Sequence, residues 1–195
     1  MAETIDPPAG VGTRIDWHAF RAARAIRTGG IAVHATETVL GLAASAFRPD
    51  AIERVRALKS RPLSHHFLVI ARDLDQIRGL VSLQTPYLAE ILESWPGPYT
   101  WRLPAAVSAP TWLIDSEGCL AVRMTSHPRS SRICELAGPL ISTSANRTGH
   151  PVHRSLVAAR RDFGALVDIY VPGPLATGAG PSRIRDGITG DVIRG

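Results

Sequence analysis

Short apolar segments alternate with amphipathic helical patterns along most of this chain, and that alternation limits the folds open to it. Short apolar runs are typical of buried strands, whereas apolar residues spaced three to four apart indicate helices. Strands are predicted at 31–33, 67–70, 99–103, 119–124, 139–141 and 167–171, with a terminal pair around 183–184 and 192–193. Helices are predicted at 16–28, 39–46, 50–59, 88–95, 127–137 and 155–163. Because the elements alternate irregularly and without an internal repeat, the sequence predicts a mixed α/β fold in one domain.

Local signals predict where two of the helices begin and end. Asp16 is an N-cap residue for the first helix. The apolar face of that helix carries Trp17, Phe20 and Ile26. Asp50 and Glu53 have the spacing of a capping box at the start of another helix. That helix is expected to end at Lys59, since Pro62 disfavours helical geometry in the residue before it.

Composition places the chain among ordinary globular domains. The hydrophobic fraction of 45% is enough for a core, and no apolar run approaches the roughly 20 residues that span a bilayer. Residues 1–12 are rich in Pro and Gly and lack the apolar stretch of a secretory signal, so a flexible tail is predicted there and a domain over 13–195. Cys119 and Cys134 lie in apolar surroundings and are predicted to be buried thiols. These features predict a cytoplasmic protein without membrane contact.

The positive charge of the chain is almost entirely arginine. The net charge is +5, and of 22 basic residues only Lys59 is a lysine. Such a balance permits nucleotides, nucleic acid or other anions as partners. A single lysine among arginines indicates a position that requires a compact ammonium with three rotatable donors, such as one beside crowded phosphate oxygens. The alternative is a solvated surface lysine that remains by chance.

Four polar clusters stand at the ends of predicted elements, where the sites of α/β domains form. Three of them have a structural alternative, namely helix capping for the first, a simple turn for the third and a flexible linker for the fourth. The clusters are Thr36-Glu37-Thr38, Lys59-Ser60-Arg61, Ser142-Thr143-Ser144-Ala145-Asn146, and the Gly-rich segment 173–180 with Ser182, which is a candidate lid. Cations and small hydroxyls of this kind suit an anionic ligand that approaches the backbone closely.

Several common catalytic patterns are missing from the sequence. It contains neither a P-loop nor the Gly-x-Ser-x-Gly elbow of hydrolases. Its histidines and cysteines lack the spacing of metal ligands, so no protein-bound metal is predicted. No pair of acidic residues stands out as a general acid and base. The polar clusters therefore predict a site that works by charge stabilisation and positioning.

Taken in order, these clusters resemble the YrdC/TsaC family, the threonylcarbamoyl-AMP synthases, in their short single-domain form. The resemblance extends from about residue 14 to residue 194. Its segments are 35–42, 59–62, 95–100, 121–123, 127–128, 142–149 and 181–186. The chain departs from the usual pattern at Ala35, which replaces Pro, and at Leu40, which replaces a common Tyr. It also departs at His65-His66, where relatives often have other polar residues, and at Arg183 in a variable position. The resemblance implies a twisted mixed sheet with flanking helices around a concave basic cavity.

The resemblance also implies an activity and a set of site residues. ATP, L-threonine and bicarbonate or CO₂ would give threonylcarbamoyl-AMP and pyrophosphate, normally with Mg²⁺, for modification of a tRNA adenosine beside the anticodon. Lys59 and Arg61 would be catalytic. The residues implied at ATP are Lys59, Arg61, His65, Ser144, Asn146 and Arg194. Those implied at threonine are Thr36, Thr38, Arg123, Ser142 and Ser182. Downstream tRNA threonylcarbamoyl-transferase proteins, and tRNA itself, would be partners.

Two other functions remain open from the residues alone. A non-catalytic module that binds double-stranded RNA on the same fold would explain the positive charge, although few aromatic residues are present for stacking on single strands. A carbamoyl-transfer enzyme that works through a carbamoyl-adenylate, as related domains in hydrogenase maturation do, is the other. It would use carbamoyl phosphate and would be expected to carry accessory domains.

Overall fold

The computed structural model describes residues 16–62, 65–175 and 182–194. Its helices are α1 (Trp17–Arg27), α2 (Pro49–Lys59), α3 (Leu74–Arg78), α4 (Leu88–Ser94), α5 (Pro128–Ala137) and α6 (Leu156–Phe163). Its strands are β1 (Ala32–Ala35), β2 (Leu40–Ser45), β3 (Leu68–Ala71), β4 (Thr100–Pro104), β5 (Cys119–Met124), β6 (Leu140–Ser144), β7 (Ile169–Tyr170), β8 (Ile184–Asp186) and β9 (Val192–Arg194). The tail predicted at 1–12 and most of the Gly-rich candidate lid lie outside these described residues.

All of these strands join one sheet in the order β7-β1-β2-β6-β3-β5-β4-β8-β9. The pairs β1–β7, β3–β5 and β4–β8 are parallel, and the other neighbours are antiparallel. The predicted mixed α/β fold is therefore confirmed. None of the helices in the described ranges is long and apolar enough to cross a bilayer.

The helix predicted at 39–46 is wrong, because this segment forms strand β2. All six β2 residues are buried. Strand β2 lies between β1 and β6 and is covered on both faces, so its side chains are apolar or small on both sides. A strand of that kind reads as a continuous apolar run rather than an alternating one. Its run of Leu, Gly and Ala therefore resembles a buried helix when only the sequence is known.

The first two helices begin differently from each other. Asp16 caps α1 as predicted, since its Oδ1 accepts hydrogen bonds from the backbone N–H groups of His18 and Ala19 at 3.1 Å. The capping box predicted at Asp50 is wrong, because that carboxylate pairs with the side chain of Arg48 at 2.6 Å and no side chain caps α2. Helix α2 does end at Lys59, followed by Ser60 in a left-handed conformation.

The buried face of α1 consists of small residues. Trp17 and Phe20 are exposed by 62% and 48%, so the predicted apolar face holds only at Ile26. The residues that α1 buries are Ala19, Ala22, Ala23 and Ile26. These alanines let α1 pack closely with α5 over one face of the sheet, where they share an apolar cluster with Ala43, Ile70 and Leu140. A larger apolar cluster, which includes α2 and Trp101, covers the opposite face.

Candidate active site

A cavity of about 740 Å³ opens on the part of the sheet face that α1 and α5 leave uncovered. Every second side chain of a strand faces the same side of the sheet, and the cavity is floored by residues spaced in this way. Strand residues of the floor include Gly41, Leu68, Ile70, Ala121, Arg123, Ser142 and Ser144. The walls come from the β1–β2 turn, residues 152–154, Leu175, Ser182, Ile184 and Arg194.

The structure brings most of the predicted site residues to this one cavity. Those that line it are Thr36, Thr38, Arg61, Arg123, Ser142, Ser144, Ser182 and Arg194. Leu40, one of the departures from the family pattern, also lines it. The predicted residues that do not line it are Lys59, His65 and Asn146. The lining residues that were not predicted as site residues include His66, His153 and Arg154.

Lys59 lies behind the cavity wall and holds the end of β6. Its side chain is buried, and its Nζ donates to the carbonyl oxygens of Ser144 at 2.7 Å and Asn146 at 2.6 Å. A third hydrogen bond goes to Asn146 Oδ1 at 3.3 Å, which also accepts from the Ser144 hydroxyl at 2.6 Å. Burial, together with the charge of Arg61, lowers the pKa of Lys59 to about 8. The crowded oxygens around this ammonium therefore belong to the protein, and the lone lysine links α2 to the hydroxyl cluster.

Arg61 crosses from the end of α2 to the cavity. Its Nε donates to the carbonyl of His65 at 3.2 Å, and one Nη donates to the carbonyl of His66 at 2.8 Å. The other Nη donates to Thr143 Oγ1 at 3.2 Å, and the guanidinium lies 4.9 Å from the centre of the Phe67 ring. These contacts fix the plane of the guanidinium at the wall. In this structure His65 contacts Arg61 through its backbone carbonyl, which helps to orient the guanidinium.

Arg123 is the buried cation of the floor, and Glu37 stands behind it. Its Nε and Nη2 donate to Thr100 Oγ1 at 3.0 and 2.8 Å, and its Nη1 lies 3.6 Å from Glu37 Oε2. Glu37 Oε1 accepts from Thr125 Oγ1 at 2.5 Å and from the Ser126 N–H at 2.7 Å. Because Glu37 is held on both of its oxygens, it positions Arg123 while leaving that side chain charged toward the cavity. The sequence singled out the turn that contains Glu37 but gave the glutamate no role.

Three arginines repel one another across this cavity. Burial is the main cause that lowers the pKa values of Arg61, Arg123 and Arg194, and the charge of Arg194 lowers those of the other two further. No carboxylate is among the described residues that line the cavity. Glu37 beside Arg123 offsets part of this charge from behind the floor, but the cavity keeps an excess of positive charge. Concentrated cations are costly, and an anionic ligand relieves that cost. The electrostatics of the cavity therefore favour a ligand with several negative charges.

The hydroxyls of the cavity are not equally available to a ligand. Thr36 Oγ1 closes the β1–β2 turn by donating to the carbonyl of Val39 at 2.7 Å. Ser182 Oγ accepts from Arg194 at 3.2 Å, and Arg194 also holds the Ser182 carbonyl, at 3.1 Å. Ser142 Oγ has no hydrogen bond within the described part of the chain. Of these three groups, Ser142 is the one whose hydroxyl is available both to donate and to accept, whereas the Ser182 hydroxyl already accepts from Arg194.

His34 on β1 has the most unusual environment of the described histidines. It is 1% exposed, and burial, with the nearby His127 charge, lowers its pKa to about 4. Its Nδ1 lies 3.0 Å from Ser130 Oγ, whereas its Nε2 has no hydrogen-bond partner among the described residues. The imidazole is therefore neutral at ordinary pH. No motif in the sequence marks His34 as a functional residue, since it simply follows the buried strand predicted at 31–33.

We expect stability to fall in mild acid because of His34. Its unfolded pKa is 6.5 and its folded pKa is about 4, so as pH falls from 6.5 to 4 the unfolded chain takes up a proton that the folded chain does not. The stability that neutral His34 provides is complete above pH 6.5, and about 2 kcal/mol of it is lost between pH 7 and pH 5. Urea unfolding at both pH values measures the loss, which His34→Phe should remove. An equal loss in wild type and variant would contradict this assignment.

The fold and the cationic cavity define an α/β domain whose cavity suits a polyanionic ligand, and comparisons with known proteins identify its family. The family model named Sua5_yciO_yrdC, described as "Telomere recombination", matches residues 24–194. A "Threonylcarbamoyl-AMP synthase" of Nitrosococcus oceani is 42% identical over 92% of this chain and 98% of its own length. One from Coxiella burnetii is 38% identical over 89% and 94%. The chain therefore belongs to the Sua5/YciO/YrdC family, which confirms the resemblance.

A solved structure agrees with this assignment. The chain is similar to a structure described as P. abyssi Sua5 complexed with L-threonine, with a TM-score of 0.80 and 30% identity. The match covers 87% of this chain and 51% of Sua5, so the chain spans about half the length of that protein. The agreement supports the twisted mixed sheet with flanking helices that the resemblance implied.

Proposed function

We propose that this chain is a threonylcarbamoyl-AMP synthase, a nucleotidyltransferase that makes threonylcarbamoyl-AMP and pyrophosphate from ATP, L-threonine and bicarbonate or CO₂. One observation carries the proposal. Arg61, Arg123 and Arg194 surround a single cavity that has no carboxylate among its described lining residues. Relatives at about 40% identity over nearly their full length carry that enzyme name.

The chemistry matches a site of cations and hydroxyls. The threonine amine and CO₂ form a carbamate, whose oxygen attacks the α-phosphorus of ATP. A new P–O bond forms as the bond to the leaving pyrophosphate breaks. Both reactants are anions, so the obstacle is charge repulsion and alignment more than proton transfer. Fixed guanidinium groups offset the charge that develops on the phosphate oxygens without having to reorganise.

The two ends of the cavity suit the two substrates. Arg61 and Ser144, with Lys59 and Asn146 behind them, would hold the phosphates, together with Arg194. Arg123 would pair with the threonine carboxylate through the guanidinium nitrogens that face the cavity. Thr38, Ser142 and Ser182 would contact the amino acid or its carbamate, while Thr36 shapes the turn above it. His65 would act near ATP through the Arg61 guanidinium that its carbonyl accepts from.

Mg²⁺ would enter this site with the nucleotide. Within the described ranges, no group of three or more His, Cys, Asp or Glu side chains could hold a metal ion. The donors that line the cavity are mainly guanidinium and hydroxyl groups, which do not compete with phosphate oxygens for Mg²⁺. The ion would offset phosphate charge as part of the Mg·ATP substrate.

The product would serve modification of a tRNA adenosine beside the anticodon. A tRNA threonylcarbamoyl-transferase would take the adenylate, in the cytoplasm, and tRNA contact with the positively charged surface is a further part of this proposal. The alternative of an RNA-binding module without catalysis is not favoured, because the close relatives carry an enzyme name and the arginines converge in a cavity rather than along an open face. The carbamoyl-transfer alternative has no observation that favours it.

The test is pyrophosphate release from ATP and bicarbonate with Mg²⁺, with and without L-threonine. L-serine is the control amino acid, since it keeps the hydroxyl and lacks the methyl group. We expect release that depends on threonine and is much weaker with serine. Absence of release with any amino acid, in a folded sample, would overturn the synthase and favour the RNA-binding alternative. RNA affinity that falls steeply with salt would then support that module.

A further inference from the structure

His34 lies at the base of the amino-acid end of the cavity, with one face toward α5. It pairs across the sheet with Gly41 of β2, which is part of the cavity floor. On the α5 side, Ser130 Oγ donates its only proton to the carbonyl of Ala35 at 2.8 Å. Ser130 Oγ also lies 3.3 Å from His127 Nδ1, which accepts from the Ser130 N–H, so the shorter Ala35 contact is the one assigned to the Ser130 proton. With that assignment, the 3.0 Å contact between His34 Nδ1 and Ser130 Oγ is a hydrogen bond donated by Nδ1–H. The neutral ring therefore carries its proton on Nδ1 and presents a bare lone pair at Nε2.

That lone pair faces the space above Gly41. A Cβ placed on residue 41 would lie 3.3 Å from His34 Nε2, 3.3 Å from Ser142 Oγ and 3.1 Å from the methyl group of Thr36. Nε2 and Ser142 Oγ thus border the same small space, which exists because residue 41 has no side chain. Neither atom has a hydrogen bond among the described residues. A buried acceptor without a partner is costly, so its retention requires an explanation.

The Ser142 hydroxyl is the polar group that borders the same space as Nε2 and also lines the cavity. Nε2 has almost no exposed area, and the Thr36 methyl group at the edge of this space is fixed by the hydrogen bond from Thr36 Oγ1 to Val39. Because Ser142 lines the cavity and His34 does not, a ligand would contact Ser142 rather than His34. A hydrogen bond from Ser142 Oγ to Nε2 would form across the space above Gly41.

Resting on the proposed function, we infer that His34 is a positioning residue of the threonine pocket: its Nε2 accepts the Ser142 O–H hydrogen bond, so that Ser142 Oγ accepts one from the substrate. Ser142 has only one proton. Once that proton points to His34, the oxygen offers lone pairs alone to the cavity. It then selects an N–H or O–H donor of L-threonine, while Arg123 attracts the carboxylate. The two contacts together set the orientation of the amino acid.

The inference predicts a specific coupling between the two residues. His34→Phe keeps a ring in the buried site but removes the acceptor, so the KM for L-threonine should rise about tenfold while the KM for ATP stays within about twofold. In a Ser142→Ala background, the same His34 change should have little further effect on the threonine KM, because the hydroxyl it acts on is gone. His18→Phe, at an exposed position on α1, is the matched control and should behave as wild type.

Two results would overturn the inference while leaving the synthase intact. One is a His34→Phe effect of the same size in the wild-type and Ser142→Ala backgrounds, which a merely structural role would give. The other is an unchanged threonine KM in His34→Phe. If the wild-type chain shows no threonine-dependent pyrophosphate release, the proposed function itself fails, and the inference fails with it.

If a variant does not fold, a measurement on the wild-type protein still tests the inference. The imidazole ¹⁵N resonances of His34 report the tautomer and the hydrogen bond at each nitrogen. We expect a protonated Nδ1 and an unbonded Nε2 in the free protein, and a shift of the Nε2 resonance toward the hydrogen-bonded range when saturating L-threonine is added. An Nε2 resonance that does not move with threonine bound, or a proton on Nε2, would overturn the inference.

Discussion

Lys59→Arg is expected to lower the threonine-dependent rate by at least about a hundredfold although the positive charge is kept. The ammonium of Lys59 donates to three acceptors that converge on one buried point, two of them backbone carbonyls at the end of β6. A planar guanidinium is larger and cannot direct its donors to three converging oxygens. The substitution would displace Ser144 and Asn146, and a small displacement of aligned groups is enough to cost this much in rate. Steady-state pyrophosphate release measures the loss.

Lys59→Met is the informative comparison for that variant. It removes the charge and leaves the same acceptors without a donor, so it should also lose activity and have a lower melting temperature. Similar losses in the two variants would show that geometry, as well as charge, is required at this position. Full activity in Lys59→Arg would contradict the special role of the lone lysine.

Arg123→Met is expected to raise the dissociation constant for L-threonine by about a hundredfold or more. Arg123 is 4% exposed, and a charge-assisted pair with a carboxylate at such a site is much stronger than on the surface. Glu37 would then face the cavity without its partner, which adds repulsion toward the threonine carboxylate. Isothermal titration with L-threonine and with a non-hydrolysable ATP analogue separates the two substrates.

The ATP analogue should bind to Arg123→Met with nearly unchanged affinity. Arg160→Met is the matched control, because Arg160 is an exposed arginine on α6 whose guanidinium lies over the Tyr170 ring rather than in the cavity. It should leave both affinities as in wild type. A loss of ATP-analogue binding equal to the loss of threonine binding would contradict the assignment of Arg123 to the amino acid.

The elements that sequence predicted well are those whose ends carry local signals. The Asp16 cap and the stop of α2 before Pro62 depend on side chains next to the helix end, and the structure has both. The errors depend on distant contacts. Strand β2 reads as helix because both of its faces are covered by other parts of the chain.

The surface of α1 illustrates the same limit. Trp17 and Phe20 are its largest apolar residues, but close packing against α5 favours alanines on the inner face. A prediction from residue size alone therefore selects the wrong face of α1 as the buried one. Which face of a helix is buried depends on the space that the neighbouring element leaves. The sequence of the helix alone carries no information about that space.

Motifs predict which residues form the candidate site but not how those residues contact one another. Clusters separated by more than a hundred residues meet in one cavity, as their positions at strand ends and the resemblance suggested. Motifs do not show that Lys59 bonds to the protein rather than facing open space. Nor do motifs show the role proposed for His34. That role depends on Gly41 of β2 and Ser142 of β6, which lie near its side chain. Such roles depend on register and packing.

The most direct test of the central claim is to follow two labels into one product. Wild-type protein is incubated with Mg²⁺, bicarbonate, [α-³²P]ATP and [¹⁴C]L-threonine, and the nucleotides are separated at once by chromatography. The account predicts a new adenylate that carries both labels in equal amounts and disappears when threonine or bicarbonate is left out. AMP labelled only with phosphorus, or no new product in a folded sample, would contradict it.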